Sequence, residues 1–177
     1  MTRSIPTPSF LALLTLLLSL GAVPAHCLPR YAVTDLGLPP GAVSATAVDV
    51  NASGTAVGTV TYLDGRTEGF VASGGSMHLL GWLSQGTHSS ASAINDAGVV
   101  VGDSDTQHAE PRAVVWTAGT AASIRDLTNG NNGANVHTSD INSSGVVAGY
   151  FTRSGSRQAK HWEAVTWTPP YNGDMVP

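Results

Sequence analysis

Two histidines stand where chemistry would be sought first. His88 and His137 each precede a run of alternating apolar residues, in "THSSASAIN" and "VHTSDIN". His137, Ser139 and Asp140 fall within four residues and supply the residue types of a nucleophile relay. In an extended segment, however, successive side chains point to opposite faces, and relay members ordinarily converge from separate segments. Neither a Gly-x-Ser-x-Gly elbow nor a His-Glu-x-x-His pair occurs. Polar decoration of strand edges is the plainer reading. A secreted hydrolase using His88 or His137 with Asp140 at a junction between repeats is the enzymatic alternative.

Asp103 and Asp105, in "GDSDTQH" with His108 beyond, form a spaced acidic pair that could offer oxygens to Ca²⁺. The loop lacks the full Asp-x-Asn/Asp-Gly-x-Glu pattern and the pair does not recur, so no cofactor is expected. Four tryptophans are the aromatic resource. Trp116 and Trp167 occupy matching places in two repeats, which argues for packing. Trp82 and Trp162 have no such match and are the candidates, with His88 and His137, for a surface that binds a glycan or protein. "NGNNGAN", Asn129 to Asn135, is a linker, since no helix follows to build a phosphate cradle. Asn51-Ala52-Ser53 and Asn142-Ser143-Ser144 match the glycosylation tripeptide, but both coincide with a turn motif.

The elements that must position these residues are repeats. Asn-x-x-Gly-x-x-x-Gly occurs at Asn51/Gly54/Gly58, Asn95/Gly98/Gly102 and Asn142/Gly145/Gly149, at steps of 44 and 47 residues. Val50, Ile94 and Ile141 precede the three asparagines. "EGFVASGG", "RAVVWTAG" and "EAVTWTPP" align downstream without gaps. Asn tolerates turn geometry and can bond nearby backbone, and Gly adopts positive φ, so the phrase reads as a hairpin connection between strands. The second glycine predicts a bulge or a close backbone approach. In the second repeat the strands are expected at Ser90–Asn95, Val99–Asp103, Arg112–Thr117 and Ser123–Leu127. Asp49 and Asp140 recur before the asparagine but Ala93 replaces them between, which points to structure rather than chemistry.

The expected fold is all-β, a repeat protein, propeller-like with about three four-stranded blades, the alternative being an elongated stack of β repeats. Repeat 1 spans 44–86, repeat 2 spans 87–130 and repeat 3 spans 135–170, with a tail at 171–177. Residues 31–37 resemble a last strand and would complete the last blade. Three blades are fewer than usual, so the chain either assembles with copies of itself or is a truncated member of a longer lineage.

These residues resemble the HAF family of probable extracellular repeats. The opening "Tyr-x-Val-Thr-Asp-Leu-Gly" is matched by Tyr31, Val33, Thr34, Asp35, Leu36 and Gly37. "Ala-x-x-Ile-Asn-x-x-Gly-x-Val-Val-Gly" is matched by Ala91, Ile94, Asn95, Gly98, Val100, Val101 and Gly102. The eponymous His-Ala-Phe triplet is replaced by Glu68-Gly69-Phe70, Arg112-Ala113-Val114 and Glu163-Ala164-Val165. The resemblance implies an exported repeat protein and supplies no catalytic residues.

Composition agrees with export. The chain opens with Arg3, an apolar run from Phe10 to Val23, and Val23-Pro24-Ala25, which reads as a signal peptide over 1–25 cleaved near Ala25. A secreted or periplasmic location follows. Cys27 is the sole cysteine, so no disulfide within the chain can hold the fold. Removing Arg3 leaves seven basic against twelve acidic residues, a net charge of −5 with no basic stripe, which disfavours nucleic acid as partner. No second long apolar run occurs, so no membrane span is expected in the mature chain.

Overall fold

The computed structural model describes residues 32–107, 110–117, 123–128, 135–154 and 160–171. The expected leader, Cys27, Tyr31, His108, residues 129–134 of the linker and the tail after Tyr171 lie outside them. Among the described residues there are eleven strands and no helix, and therefore none long and apolar enough to cross a membrane.

The strands make three antiparallel sheets, none closed into a barrel. The first is a meander of β1 (Ala42–Val50), β2 (Ala56–Tyr62), β3 (Thr67–Ser73) and β4 (Ser76–Leu79). The second repeats it with β5 (Ser89–Ile94), β6 (Val99–Ser104), β7 (Arg112–Thr117) and β8 (Ser123–Asp126). The third has three strands, in the order β11-β10-β9: β9 (Asn135–Ile141), β10 (Val147–Ser154) and β11 (Lys160–Trp167). The strands expected for the second repeat are found within one residue at each end.

The first strand of each later sheet packs across its predecessor. β5 lies against β1, β2 and β3, and β9 lies against β5, β6 and β7. Two of the apolar clusters sit at these junctions. Val57, Ala91, Ile94, Val100, Val114 and Trp116 join the first sheet to the second. Ala93, Val101, Val115, Val136, Ile141, Val147 and Trp167 join the second to the third. The second sheet is thus buried on both faces, which is why β7 reads Arg-Ala-Val-Val-Trp without polar alternation. Each fully buried Val or Leu contributes about 1.5–3 kcal/mol.

Residues 32–38 form no strand. Leu36 instead packs beside Val60, Phe70 and Ala72 of the first sheet. The expectation that residues 31–37 complete the last sheet is therefore corrected. Phe70 is 1% exposed on that face of the first sheet, and Leu36, six residues before β1, is part of its cover.

The motif glycines divide two tasks. Gly54, Gly98 and Gly145 have φ of +79°, +78° and +83°, so they close the hairpins in the left-handed region. Gly58, Gly102 and Gly149 are needed for space. A Cβ on Gly102 would lie 1.9 Å from the Ser90 carbonyl oxygen and 2.8 Å from Cζ3 of Trp116. Opposite each, the first strand skips one residue in the pairing, at Val48, Ser92 and Ser139, so the expected bulge and close approach coincide.

Candidate functional site

The polar residues of the repeats are first of all stitches. In each hairpin the asparagine Oδ1 accepts the backbone N–H four residues on: Thr55 at 3.0 Å, Val99 at 3.0 Å and Val146 at 2.9 Å. Its Nδ2 does a second job. Asn51 donates to the carbonyl of Asn95 at 3.2 Å, and Asn95 to the carbonyl of Asn142 at 3.1 Å. The three form a directional ladder across the sheets. Carboxylates bind backbone N–H groups across the junctions, two on incoming strands and one in the first hairpin turn. Asp49 accepts the N–H of Ile94 at 2.8 Å, Asp96 that of Ala52 at 2.9 Å, and Asp103 that of Thr138 at 2.9 Å. Edge N–H groups that would template aggregation are thereby occupied.

Both candidate histidines bond a carboxylate, with partners other than the one anticipated. His137 Nδ1 lies 2.7 Å from Asp103 Oδ2, thirty-four residues away in sequence. Asp140, the anticipated partner, accepts the N–H of Ile141 and is exposed. The juxtaposition arises because β9 crosses β6, a tertiary fact with no local signal. The Asp103 carboxylate raises the pKa of His137 above its ordinary value, against the opposing pull of burial. His88 Nδ1 lies 3.1 Å from Asp105 Oδ2. Asp105 also accepts the N–H groups of Thr87 and His88, each at 2.8 Å. Burial pushes its carboxyl up, but these bonds and the His88 ring outweigh it and hold it below the usual range.

Asp103 and Asp105 are thus committed to different strands. Among the described residues, no group of three or more His, Cys, Asp or Glu is placed to hold a metal ion. The pair lines an open cleft of about 430 Å³ with Thr67, His88, Ser90 and Pro111. The described hydrogen bonds of both imidazoles run through Nδ1.

Trp162 and Trp82 part company. Trp82 is half-buried beside the first sheet, with the Arg66 guanidinium 6.0 Å from its ring centre. The same guanidinium stacks 4.9 Å over Tyr62 and pairs with Asp64 at 2.7 Å. Trp162 is 66% exposed on β11. Its ring centre is 5.0 Å from that of Tyr150 on β10, which is 5.1 Å from that of His137 on β9. A row Trp162–Tyr150–His137 therefore crosses the third sheet and ends on Asp103. Tyr150 was not singled out in the sequence, since no repeat matches it. Placing it needs the strand register Tyr150↔His137.

The row lies on the face of the third sheet turned away from the second. Ala148, Ala164 and Thr166 share that face and are exposed, whereas the residues matching them, Val101, Ala113 and Val115, are buried to 1% or less. Compared with known proteins, the chain matches no family model, no curated protein and no solved structure.

Proposed function

We propose that the chain is an exported, non-enzymatic β-repeat module that works by contact. Its sheets are read as propeller-like blades, and its contact surface is the outward face of the third sheet. One observation carries the reading: an exposed tryptophan stacked in line with a tyrosine and a carboxylate-paired histidine, on a sheet face whose counterpart one repeat earlier is fully covered. Exposed aromatic surface of this kind favours recognition, because a flat ring contributes large contact area at small entropic cost. The leader-like N-terminus and the likeness to the HAF repeats support export. Glycan or protein as ligand is decided by titrating the chain with soluble oligosaccharides and with peptides while following tryptophan emission. Trp162→Ala and Tyr150→Ala should each weaken binding about tenfold, equivalent to about 1.4 kcal/mol. Binding unchanged in both variants refutes the assignment of this face.

The hydrolase reading draws on the His137–Asp103 pair, which has the orientation of a base held by a carboxylate. Equal turnover of an ester and glycoside panel by the wild type and the His88→Gln/His137→Gln double variant would dispose of it.

A further inference from the structure

We infer that a second copy of this chain docks on the outward face of the third sheet, presenting the open face of its own first sheet, head to tail. The inference rests on the contact reading above and names the partner.

The two junctions inside the chain are built alike. In each, the strand carrying the hairpin asparagine lays a β-branched residue against the preceding sheet. Ile94 and Ile141 are both 6% exposed there, while their match in the first sheet, Val50, is 60% exposed. Ala47 is exposed too, where the matching Ala91 and Thr138 are buried. Val60, Phe70 and Ala72 on that face are already buried to 1% or less with Leu36 packed against them, so its open part is the β1 side that carries Ala47 and Val50. The opposite end of the array has the complementary half. Ala148, Ala164 and Thr166 are exposed where Val101, Ala113 and Val115 receive the next sheet.

The ladder gives the direction. Asn95 and Asn142 each accept an Nδ2 proton at the carbonyl from the preceding repeat; among the described residues, the Asn51 carbonyl accepts only the N–H of Gly54 in its own turn. Asn51 and Asn95 each donate Nδ2 to the following repeat; among the described residues, Asn142 does not. One end of the row thus offers a donor and the other an acceptor, in the spacing already used twice. A third rung from Asn142 to Asn51 of a second copy continues an interface the chain itself contains. The contact is heterologous, so two copies close a ring if the rotation allows, and otherwise copies add into a filament.

The test is mass in solution by light scattering, run on the purified chain over a wide range of concentration. Two exposed positions are each given a charge, Val50→Asp at one face and Ala148→Asp at the other, with circular dichroism confirming that both variants fold. Wild type should shift from one chain mass to two or more as concentration rises, and each variant alone should remain monomeric. Mixing the variants should restore a species of twice the chain mass, because each keeps one intact face. A wild type that stays monomeric throughout overturns the inference, as do a mixture that fails to pair and a single variant that still dimerises alone, the last of which would mean that like faces meet. If wild type is monomeric but Trp162→Ala still loses an oligosaccharide or peptide, the contact reading stands without this partner. If mass and ligand binding are both indifferent to these changes, both fall.

Discussion

Replacing Asn95 by alanine separates two tasks that one side chain performs. Asn95 is 5% exposed, with Oδ1 on the N–H of Val99 and Nδ2 on the carbonyl of Asn142. Among the described residues Asn142 performs only the first task, on an exposed turn where water replaces what is lost. A hydrogen bond contributes about 1 kcal/mol net, and a buried donor left without a partner costs about 1–3 kcal/mol. Asn95→Ala should therefore lose about 2–4 kcal/mol, and Asn142→Ala about 0.5–1 kcal/mol. The difference, about 2 kcal/mol, belongs mainly to burial and the rung between sheets. Urea unfolding at low protein concentration, read at constant m, measures both values without a contribution from association. Equal losses in the two variants would show that Asn95 acts as a turn cap alone and that the ladder holds nothing together.

Gly102→Ala should destabilise more than Gly98→Ala in the same assay. The first drives a Cβ to 1.9 Å from a backbone oxygen, while the second costs only the left-handed φ, about 1–2 kcal/mol; the reverse order would contradict the division of labour between the glycines. The His137–Asp103 pair should act in acid. The folded state raises the His137 pKa, so its contribution is complete below the unfolded value of about 6.5 and is lost as pH rises through the folded one. The stability gap between wild type and His137→Gln should shrink from about pH 5 to about pH 8, and a constant gap would exclude a charged pair. Trp116→Ala should lose about 3–5 kcal/mol, because the ring is fully buried. Trp162→Ala should change stability by less than about 0.5 kcal/mol; a large loss there would make Trp162 a packing residue.

Periodicity made the strands legible. Hairpins with Asn at one end and a left-handed Gly at the other are local, and Asn51, Asn95 and Asn142 announce them by type and spacing. The two-faced burial of the second sheet has a local signal that the sequence reading did not use, the unbroken apolar run from Ala113 to Trp116. What escaped was every contact between repeats. Asp103 is thirty-four residues from His137, and no pattern along the chain ties them. Asp96, without a match in the other repeats, turns out to cap Ala52 in the first sheet. The asparagine ladder had a signal, since the same residue recurs at a fixed period. Turn geometry explained the recurrence well enough to conceal the second use of the side chain. Residues 31–37 misled because an isolated alternating segment carries no mark of which sheet it joins.

The aromatic over the second glycine shows what the repeat preserves. Gly102 and Gly149 are covered by Trp116 and Trp167, each with Cζ3 2.8 Å from where a Cβ would stand. Gly58 is covered at the same distance by Phe70, which lies directly across from it rather than two residues on. The place matching Trp116 in the first repeat is Ala72, and the place matching Phe70 in the second is Val114. A large ring with a small neighbour and a small residue with a large neighbour fill the same space, so each is compensated within its own sheet. The constraint is therefore one bulky ring per sheet against a bare backbone, not a fixed residue at a fixed place. The same reasoning locates function in the exceptions. Tyr150 and Trp162 add rings to the uncovered face, where the matching positions of the second repeat carry Asp103 and Pro111, half-buried and bonded by the next strand. A sheet that ended the array would need only polar residues there. Rings at that face, beside Ala148 and Ala164, are what motivates the contact proposal.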